Sequence, residues 1–182
     1  MNIEELAEKA LRIVPRAKQP LGFGTDGVVH AIDDEVVLKI YNSRKFPHGS
    51  SQKCAEYELG IGQELHALGL QVPEYFGLFK PVNKEPRLIY WGAFMQRLHG
   101  RRTDNFWFRI SGFKKEAERQ YQEQAERIEQ LGYYINDSRF DHNTLFDPVR
   151  KKLFLFDFMK WKRKSDYCAY LGLYPRKYYK PT

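Results

Sequence analysis

Three glycines near the start of the chain precede a lysine, and together these residue types are suited to binding phosphate. The glycines form the pattern Gly-x-Gly-x-x-Gly, which a valine follows, and the residues concerned are Gly22, Gly24, Gly27 and Val29. Glycines at this spacing allow a backbone to approach a phosphate group closely, although they also occur in flexible hairpins and in dinucleotide-binding folds. Because this segment continues into a second apolar run rather than a helix, we predict a hairpin with a glycine-rich tip.

Lys39 lies inside that second apolar run, which spans Val36–Ile40. A lysine without a partner in a buried strand is strongly unfavourable, so an anionic partner is expected. Such a lysine could reach the phosphates of a nucleotide beneath the glycine-rich tip. The alternative is an edge strand from which the ammonium group reaches water.

A carboxylate partner for Lys39 is expected on the next element, a helix predicted from about residue 51 to residue 68. Glu58 stands among apolar residues of this helix, whereas Glu56 and Glu64 are more easily solvated. We therefore favour Glu58 over Glu56 as the partner, because the inward face of a helix carries its apolar residues.

Oxygen-bearing side chains occur on either side of a predicted hairpin near the end of the chain. The residues are Asp137, Asp141, Asn143 and Asp157. Carboxylate and amide oxygens are the ligands that Mg²⁺ prefers, and an aspartate just upstream could accept the proton of a hydroxyl group. Each residue alone also fits a turn-forming role.

The elements that must position these residues follow from periodicity and turn signals, and they indicate a mixed α+β chain. The predicted helices span residues 2–14, 51–68 and 113–131, and the predicted strands include 36–41, 75–79, 87–95, 144–146 and 152–156. On the helix at 113–131, either Gln124 or Ala125 completes the apolar stripe.

Composition excludes several classes of protein. The chain has 182 residues, of which 42% are hydrophobic, so it is neither disordered nor of low complexity. No apolar run is long enough for a membrane span. Two cysteines are too few for a disulfide scaffold or a zinc site. We expect a cytoplasmic protein, or one delivered into a host cytosol if it is an effector.

The positive charge is concentrated at the C-terminal end. The chain carries a formal charge of +7, and residues 160–182 contain seven basic residues and one acidic residue, together with several tyrosines. This basic tail could bind an acidic partner or stack on nucleic-acid bases. It also fits an element that packs through its tyrosines and leaves its lysines in water.

Taken in this order, the motifs resemble the protein-kinase-like superfamily over the segment from Leu21 to about Met159. The chain is similar to compact atypical kinases of bacterial effectors and phages, and to RIO and lipopolysaccharide kinases. The resemblance implies a two-lobed fold in one domain, residues 1–182. Residues 1–95 would form an N-lobe with an antiparallel sheet and an extra N-terminal helix, 96–99 a hinge, and 100–182 a strongly truncated helical C-lobe with the basic tail.

The resemblance also implies that ATP and Mg²⁺ bind. Lys39, paired with Glu58, would contact the ATP phosphates, Asp137 would orient the acceptor hydroxyl, and Asn143 and Asp157 would hold Mg²⁺. The groups that contact the rest of the nucleotide would be the glycine-rich tip with Val29, the side chain of Met95, and the backbone of Gln96 and Leu98.

Some features depart from the family and leave alternatives open. The catalytic loop carries one extra residue between Asp137 and Asn143, so Asp141 is an alternative catalytic aspartate. Only 25 residues follow Asp157, too few for the usual substrate platform. The expected activity is phosphoryl transfer to a protein Ser/Thr hydroxyl. The alternatives are a sugar or lipid hydroxyl, transfer of AMP, and a pseudokinase that grips an acidic partner through its basic tail.

Overall fold

The structure is a computed structural model, and it describes residues 2–24, 26–42, 50–82, 86–134, 143–158 and 161–163. In these ranges the chain is α+β. Its helices are α1 (Ile3–Ile13), a 3-10 turn (Val14–Arg16), α2 (Ser51–Ala67), α3 (Phe106–Arg109) and α4 (Lys114–Gln130). The side chains of Asn2 and Ser50 cap α1 and α2, accepting hydrogen bonds from backbone N–H groups in the first turn.

Within the described ranges, the strands form three antiparallel sheets. Their bounds are β1 (Gly22–Phe23), β2 (Gly27–Ala31), β3 (Val36–Tyr41), β4 (Tyr75–Phe79), β5 (Gly92–Gln96), β6 (Arg101–Arg102), β7 (Tyr133–Tyr134), β8 (Thr144–Asp147), β9 (Lys152–Leu155) and β10 (Lys162–Arg163). The first sheet has the order β1-β2-β3-β5-β4, the second pairs β10 with β7, and the third has the order β6-β8-β9.

Strand β3 is buried along its whole length because the five-stranded sheet is covered on both faces. Val36, Leu38 and Ile40 point to the outer face, where they join the cluster that includes residues of α1. Val37 and Tyr41 point to the inner face, where they join the cluster that includes α2. This alternation places Lys39 on the inner face, towards α2.

The inner cluster extends beyond the five-stranded sheet into the C-terminal elements. Ile128 of α4, Tyr133 of β7, Leu155 of β9 and the segment with Phe158 and Trp161 all belong to it. A smaller cluster, Phe108, Ala117, Phe146 and Leu153, packs α3 and α4 against the β8–β9 hairpin.

The predicted elements agree with the structure except at one strand. The predicted strand at 87–95 is wrong over its first half, because residues 86–90 form turns and β5 begins only at Gly92. Leu88 of that segment is buried against the outer cluster, so its apolar character reflects packing rather than a strand. On α4, Gln124 rather than Ala125 is buried together with Ala117 and Ile128. Its side-chain amide accepts from Gln71 N and donates to the Leu153 carbonyl.

Candidate active site

Lys39 bridges two carboxylates that come from distant parts of the chain. Its Nζ lies 2.7 Å from Oε2 and 3.0 Å from Oε1 of Glu58, and 2.9 Å from Oδ1 of Asp157. Lys39 and Glu58 are almost fully buried, whereas the Asp157 side chain is 24% exposed. One edge of the cluster is therefore open to solvent at Asp157.

The pairing of Lys39 with Glu58 is the one favoured from the sequence. Glu56 lies on the exposed face of α2, where its carboxylate accepts a hydrogen bond from Gln52. The alternative of a lysine reaching water from an edge strand is wrong, because β3 lies between β2 and β5 and Lys39 is only 6% exposed.

Tyr75 completes the surroundings of Glu58, and the sequence analysis missed it. Its hydroxyl donates to Glu58 Oε1 at 2.8 Å. The Tyr75 ring lies against Gly62 of α2, where an added Cβ would come within 2.3 Å of the ring. A tyrosine at the start of a predicted strand is ordinary core material, so only the long-range packing of β4 on α2 identifies this contact.

The electrostatic balance favours a protonated lysine. Burial would lower the pKa of Lys39, but the attraction of Glu58 and then of Asp157 outweighs it and raises that pKa. Burial raises the pKa of Glu58, an effect that the Lys39 charge opposes and the Asp157 charge reinforces. Two carboxylates thus share one ammonium group, and the cluster carries one formal negative charge in excess.

Asn143 and Asp157 lie at the open end of the β8–β9 hairpin, where Asn143 is opposite Phe156 and Asp157 is the next residue. Thr144 pairs with Leu155, and one step further Phe156 N donates to the Asn143 carbonyl at 3.0 Å. Both residues adopt left-handed backbone conformations, with φ of 56° at Asn143 and 67° at Asp157. Such values are uncommon for residues other than glycine, and they often accompany function when the surrounding structure enforces them.

This end of the hairpin carries groups of the kind that bind divalent cations. The cluster has an excess negative charge, the Asp157 carboxylate is partly exposed, and Asn143, whose backbone pairs with the residue before Asp157, has an amide side chain. Among the described residues no three His, Cys, Asp or Glu side chains cluster in a way that could hold a metal ion. A cation here would therefore take its remaining ligands from water or from a bound phosphate.

Close packing explains only one of the three glycines in the predicted phosphate-binding tip. Gly22 pairs with Val29, and Gly24 N donates to the Gly27 carbonyl at 2.9 Å. A Cβ on Gly27 would lie 2.2 Å from the Ile40 carbonyl oxygen, so close packing on β3 demands glycine there. A Cβ on Gly22 or Gly24 would meet nothing within 4 Å. Packing therefore does not explain these two glycines, whereas a ligand approaching the backbone would.

The predicted hinge leaves β5 and is held to the β2–β3 turn. Met95 is buried in the inner cluster beside Val37, and Leu98 is half-buried. Gln96 N donates to the Glu74 carbonyl at 2.7 Å, so of its two backbone groups only the carbonyl could serve an adenine. Arg97 donates to the Asp33 carbonyl at 3.0 Å, which anchors this segment.

Two predicted catalytic residues, Asp137 and Asp141, lie outside the described residues, and so does most of the basic tail. The structure therefore brings together Lys39, Glu58 and Asp157, and it pairs the backbone of Asn143 with Phe156, the residue before Asp157.

No protein-family model matches the chain, and no curated protein is significantly similar to it in sequence. No helix in the part of the chain that the structure describes is long and apolar enough to cross a membrane.

Proposed function

We propose that the protein is a compact, ATP- and Mg²⁺-dependent phosphotransferase with a two-lobed, protein-kinase-like fold, and that its acceptor is a protein Ser/Thr hydroxyl. The observation that carries this proposal is the buried Lys39 ammonium between the carboxylates of Glu58 and Asp157. In the family that the sequence resembles, these three positions belong to the phosphate-binding lysine, its helix glutamate and the metal-binding aspartate.

The arrangement of the five-stranded sheet supports the same proposal. Glycine-rich β1 and β2 form one side of the sheet, the lysine lies on β3, and the glutamate comes from the helix that connects β3 to β4. This is the order in which a kinase-like N-lobe presents its nucleotide-binding groups. The segment after β5 would then be the hinge, and the elements that follow it would belong to the C-lobe.

In this proposal, each residue of the site has a separate role. Lys39 would donate to a phosphate oxygen while Glu58, itself held by Tyr75, keeps the ammonium group in place. Asn143 and Asp157 would hold Mg²⁺, and Asp137 or Asp141 would accept the proton of the attacking hydroxyl. When bound, MgATP supplies the transferred phosphoryl group and neutralises the charge that develops on it.

A second candidate is a nucleotide-binding module that does not transfer phosphate and grips an acidic partner through the basic tail. The 2.9 Å contact between Lys39 and Asp157 favours it, because the carboxylate proposed for Mg²⁺ is already paired. A kinase would have to exchange this contact for the metal.

Thermal unfolding with ATP, with Mg²⁺ and with both together tests the proposal. A ligand at 100 times its dissociation constant adds about 2.7 kcal/mol to the free energy of unfolding, which raises the melting temperature by several degrees. We expect a shift of the melting temperature that requires both ATP and Mg²⁺, and mass spectrometry of a modified protein should then show a phosphoryl adduct. An adenylyl adduct would instead indicate AMP transfer. Phosphate found only on an added sugar or lipid would show that the acceptor is not a protein.

Two variants of one hairpin provide the matched control. Asp157→Asn should abolish the Mg²⁺-dependent part of the shift. Asp147→Asn makes the same change at the turn end of the hairpin, where Asp147 Oδ1 accepts from Val149 N and Arg150 N, and should leave the shift intact. A shift with ATP alone in the wild type would favour the second candidate, and no shift with any combination would contradict both.

A further inference from the structure

A cavity of about 640 Å³ lies on the outer face of the five-stranded sheet, opposite the candidate active site. Its volume is in the range of small-molecule sites, roughly 300–1,000 Å³. The walls come from the segment after the 3-10 turn and from the turns before β5, and the floor is formed by β2 and β3.

The cavity is separate from the Lys39 site because side chains alternate across a strand. Val28 and Ile40 pair across β2 and β3, and they line the cavity. Val29 and Lys39 are the next pair, so their side chains point to the opposite face. A molecule in this cavity would touch the same two strands without entering the candidate active site.

The lining combines apolar surface with positive charge. Pro20 and Pro86 add to the apolar surface of Val28 and Ile40, and Tyr90 contributes an aromatic ring. Lys18 and Arg87 bring two permanent positive charges, and no Asp or Glu is among the described residues that line the cavity.

The two cations are held differently. The Arg87 Nη1 donates to the carbonyls of Val14 at 3.1 Å, Pro15 at 3.3 Å and Ala17 at 2.7 Å, which fixes the guanidinium group at the wall. Lys18 forms no ion pair within the described ranges, so its charge is available to a ligand.

His30 also lines the cavity and is 7% exposed. Its Nδ1 has no hydrogen-bond partner among the described residues, but this atom is enclosed by protein and does not open into the cavity. Burial and then the nearby Arg87 charge lower the pKa of His30, which favours the neutral ring. His30 therefore contributes an uncharged part of the wall, and the positive charge comes from Lys18 and Arg87.

We propose that this cavity is a second ligand site, one that binds a small, flat, apolar molecule carrying a single carboxylate. The apolar floor would take the body of the molecule, and Lys18 and Arg87 would attract its charge. This inference does not depend on the proposed phosphotransferase activity.

Titration with 2-naphthoate, followed by NMR of ¹³C-methyl-labelled valine and isoleucine, tests the site directly. The methyl resonances of Val28 and Ile40 should move and saturate, because the naphthalene ring would lie against them. Those of Val29 and Val37, on the opposite face, should stay in place. Movement confined to the latter pair, or no saturable movement at millimolar 2-naphthoate, would overturn the proposal.

Further variants test separately whether binding needs the Lys18 charge and whether it needs the empty volume of the cavity. Lys18→Gln should weaken 2-naphthoate about threefold and leave the neutral 2-naphthamide unaffected, whereas Lys114→Gln on α4 should change neither. Equal binding of both compounds to the wild type would refute the requirement for an anion. Val28→Trp fills the cavity and should abolish binding; if it binds 2-naphthoate like the wild type, the cavity is not the site.

Discussion

At the scale of single residues, the Lys39 cluster contains buried charges, and each of these charges is tolerated in the interior because an opposite charge lies beside it. A buried ion pair adds little net stability by itself, because desolvation of two charges offsets much of their attraction. Removing one member is costly, since the other charge then stays buried without its partner. The contribution of Lys39 and Glu58 should therefore show up as coupling between them.

We predict that Lys39→Met lowers the free energy of unfolding by about 3 kcal/mol, because Glu58 then stays buried without a cation. Glu58→Gln should cost less, because Lys39 keeps its pairing with Asp157. The double variant should cost less than the sum of the two by more than about 1 kcal/mol, because the carboxylate that remains, Asp157, is 24% exposed. Urea unfolding at neutral pH measures all three variants. The exposed pair Lys114–Glu118 is the control, and Lys114→Met should cost no more than about 0.5 kcal/mol. Simple additivity at Lys39 and Glu58 would contradict the prediction.

The glycines of the tip provide a second test at this scale. Gly24→Ala should leave the melting temperature nearly unchanged, because a Cβ there meets nothing, but it should weaken ATP binding. Gly27→Ala should lower the melting temperature by itself, because the new Cβ meets the Ile40 carbonyl. Unchanged ATP affinity in Gly24→Ala would show that the tip does not approach the nucleotide.

At the scale of elements, α2 is positioned by close packing on β4. Gly62 lets the Tyr75 ring approach the helix, and that ring presents its hydroxyl to Glu58. The helix also carries Gly60, which faces open space. We therefore expect alanine to have opposite effects on stability at these two positions of one helix.

We expect Gly62→Ala to lower the free energy of unfolding by about 1–3 kcal/mol, because the Cβ would overlap the Tyr75 ring. Gly60→Ala should raise it by up to about 1 kcal/mol, since alanine is the better helix former. Urea unfolding compares the pair. If both substitutions stabilise the protein, the Tyr75 ring does not pack tightly on α2 at Gly62.

The turn between β2 and β3 depends on one carboxylate and therefore on pH. Asp33 Oδ1 accepts from Glu35 N at 3.0 Å and from Val36 N at 2.8 Å, and Lys9 pairs with Oδ2 at 3.3 Å. Burial would raise the pKa of Asp33, but these hydrogen bonds and the Lys9 charge together lower it below its ordinary value of 3.8. A lowered pKa means that the ionised form stabilises the folded chain.

Asp33→Ala should therefore cost about 1 kcal/mol at neutral pH. This difference from the wild type should be fully present above the ordinary pKa of 3.8 and disappear as the pH falls through the lower pKa of the folded state. Unfolding measured from neutral pH to strongly acidic pH checks the sign. Asp34→Ala, at a fully exposed neighbour, should change stability far less. A difference that grows in acid would refute the assignment.

At the scale of the whole molecule, one apolar cluster joins the five-stranded sheet to the C-terminal elements. Trp161 is 1% exposed and packs edge-on against Phe158, with ring centroids 4.8 Å apart. The Tyr57 hydroxyl of α2 donates to the Trp161 carbonyl. The segment after Asp157 thus turns back onto the helix that carries Glu58.

Trp161→Ala should lower the free energy of unfolding by about 3–5 kcal/mol, because it empties a large buried volume. Phe106→Ala removes another aromatic side chain that is 66% exposed, and it should change stability by less than about 0.5 kcal/mol. Thermal or urea unfolding of both variants checks this. Similar small effects would mean that the C-terminal segment does not contribute to the core.

The sequence alone determined the order of the elements and the residue types of the site. Three patterns involve residues close together in the chain: the glycine spacing, the lysine within an apolar strand and the apolar surroundings of Glu58. Such local signals can be recognised without knowledge of the fold. The same signals misplaced the start of β5, because a buried turn around Leu88 is as apolar as a strand.

The sequence already favoured the pairing of Lys39 with Glu58, but only the tertiary structure decided which other residues contact that pair. Lys39 and Asp157 are 118 positions apart, and no periodicity relates them. The same holds for the Tyr75 hydroxyl on Glu58, for the glycine-to-ring contact that allows it, and for the cavity behind the sheet. Each depends on how separate elements pack, and packing is settled by the shapes and charges of side chains that come together only when the chain folds.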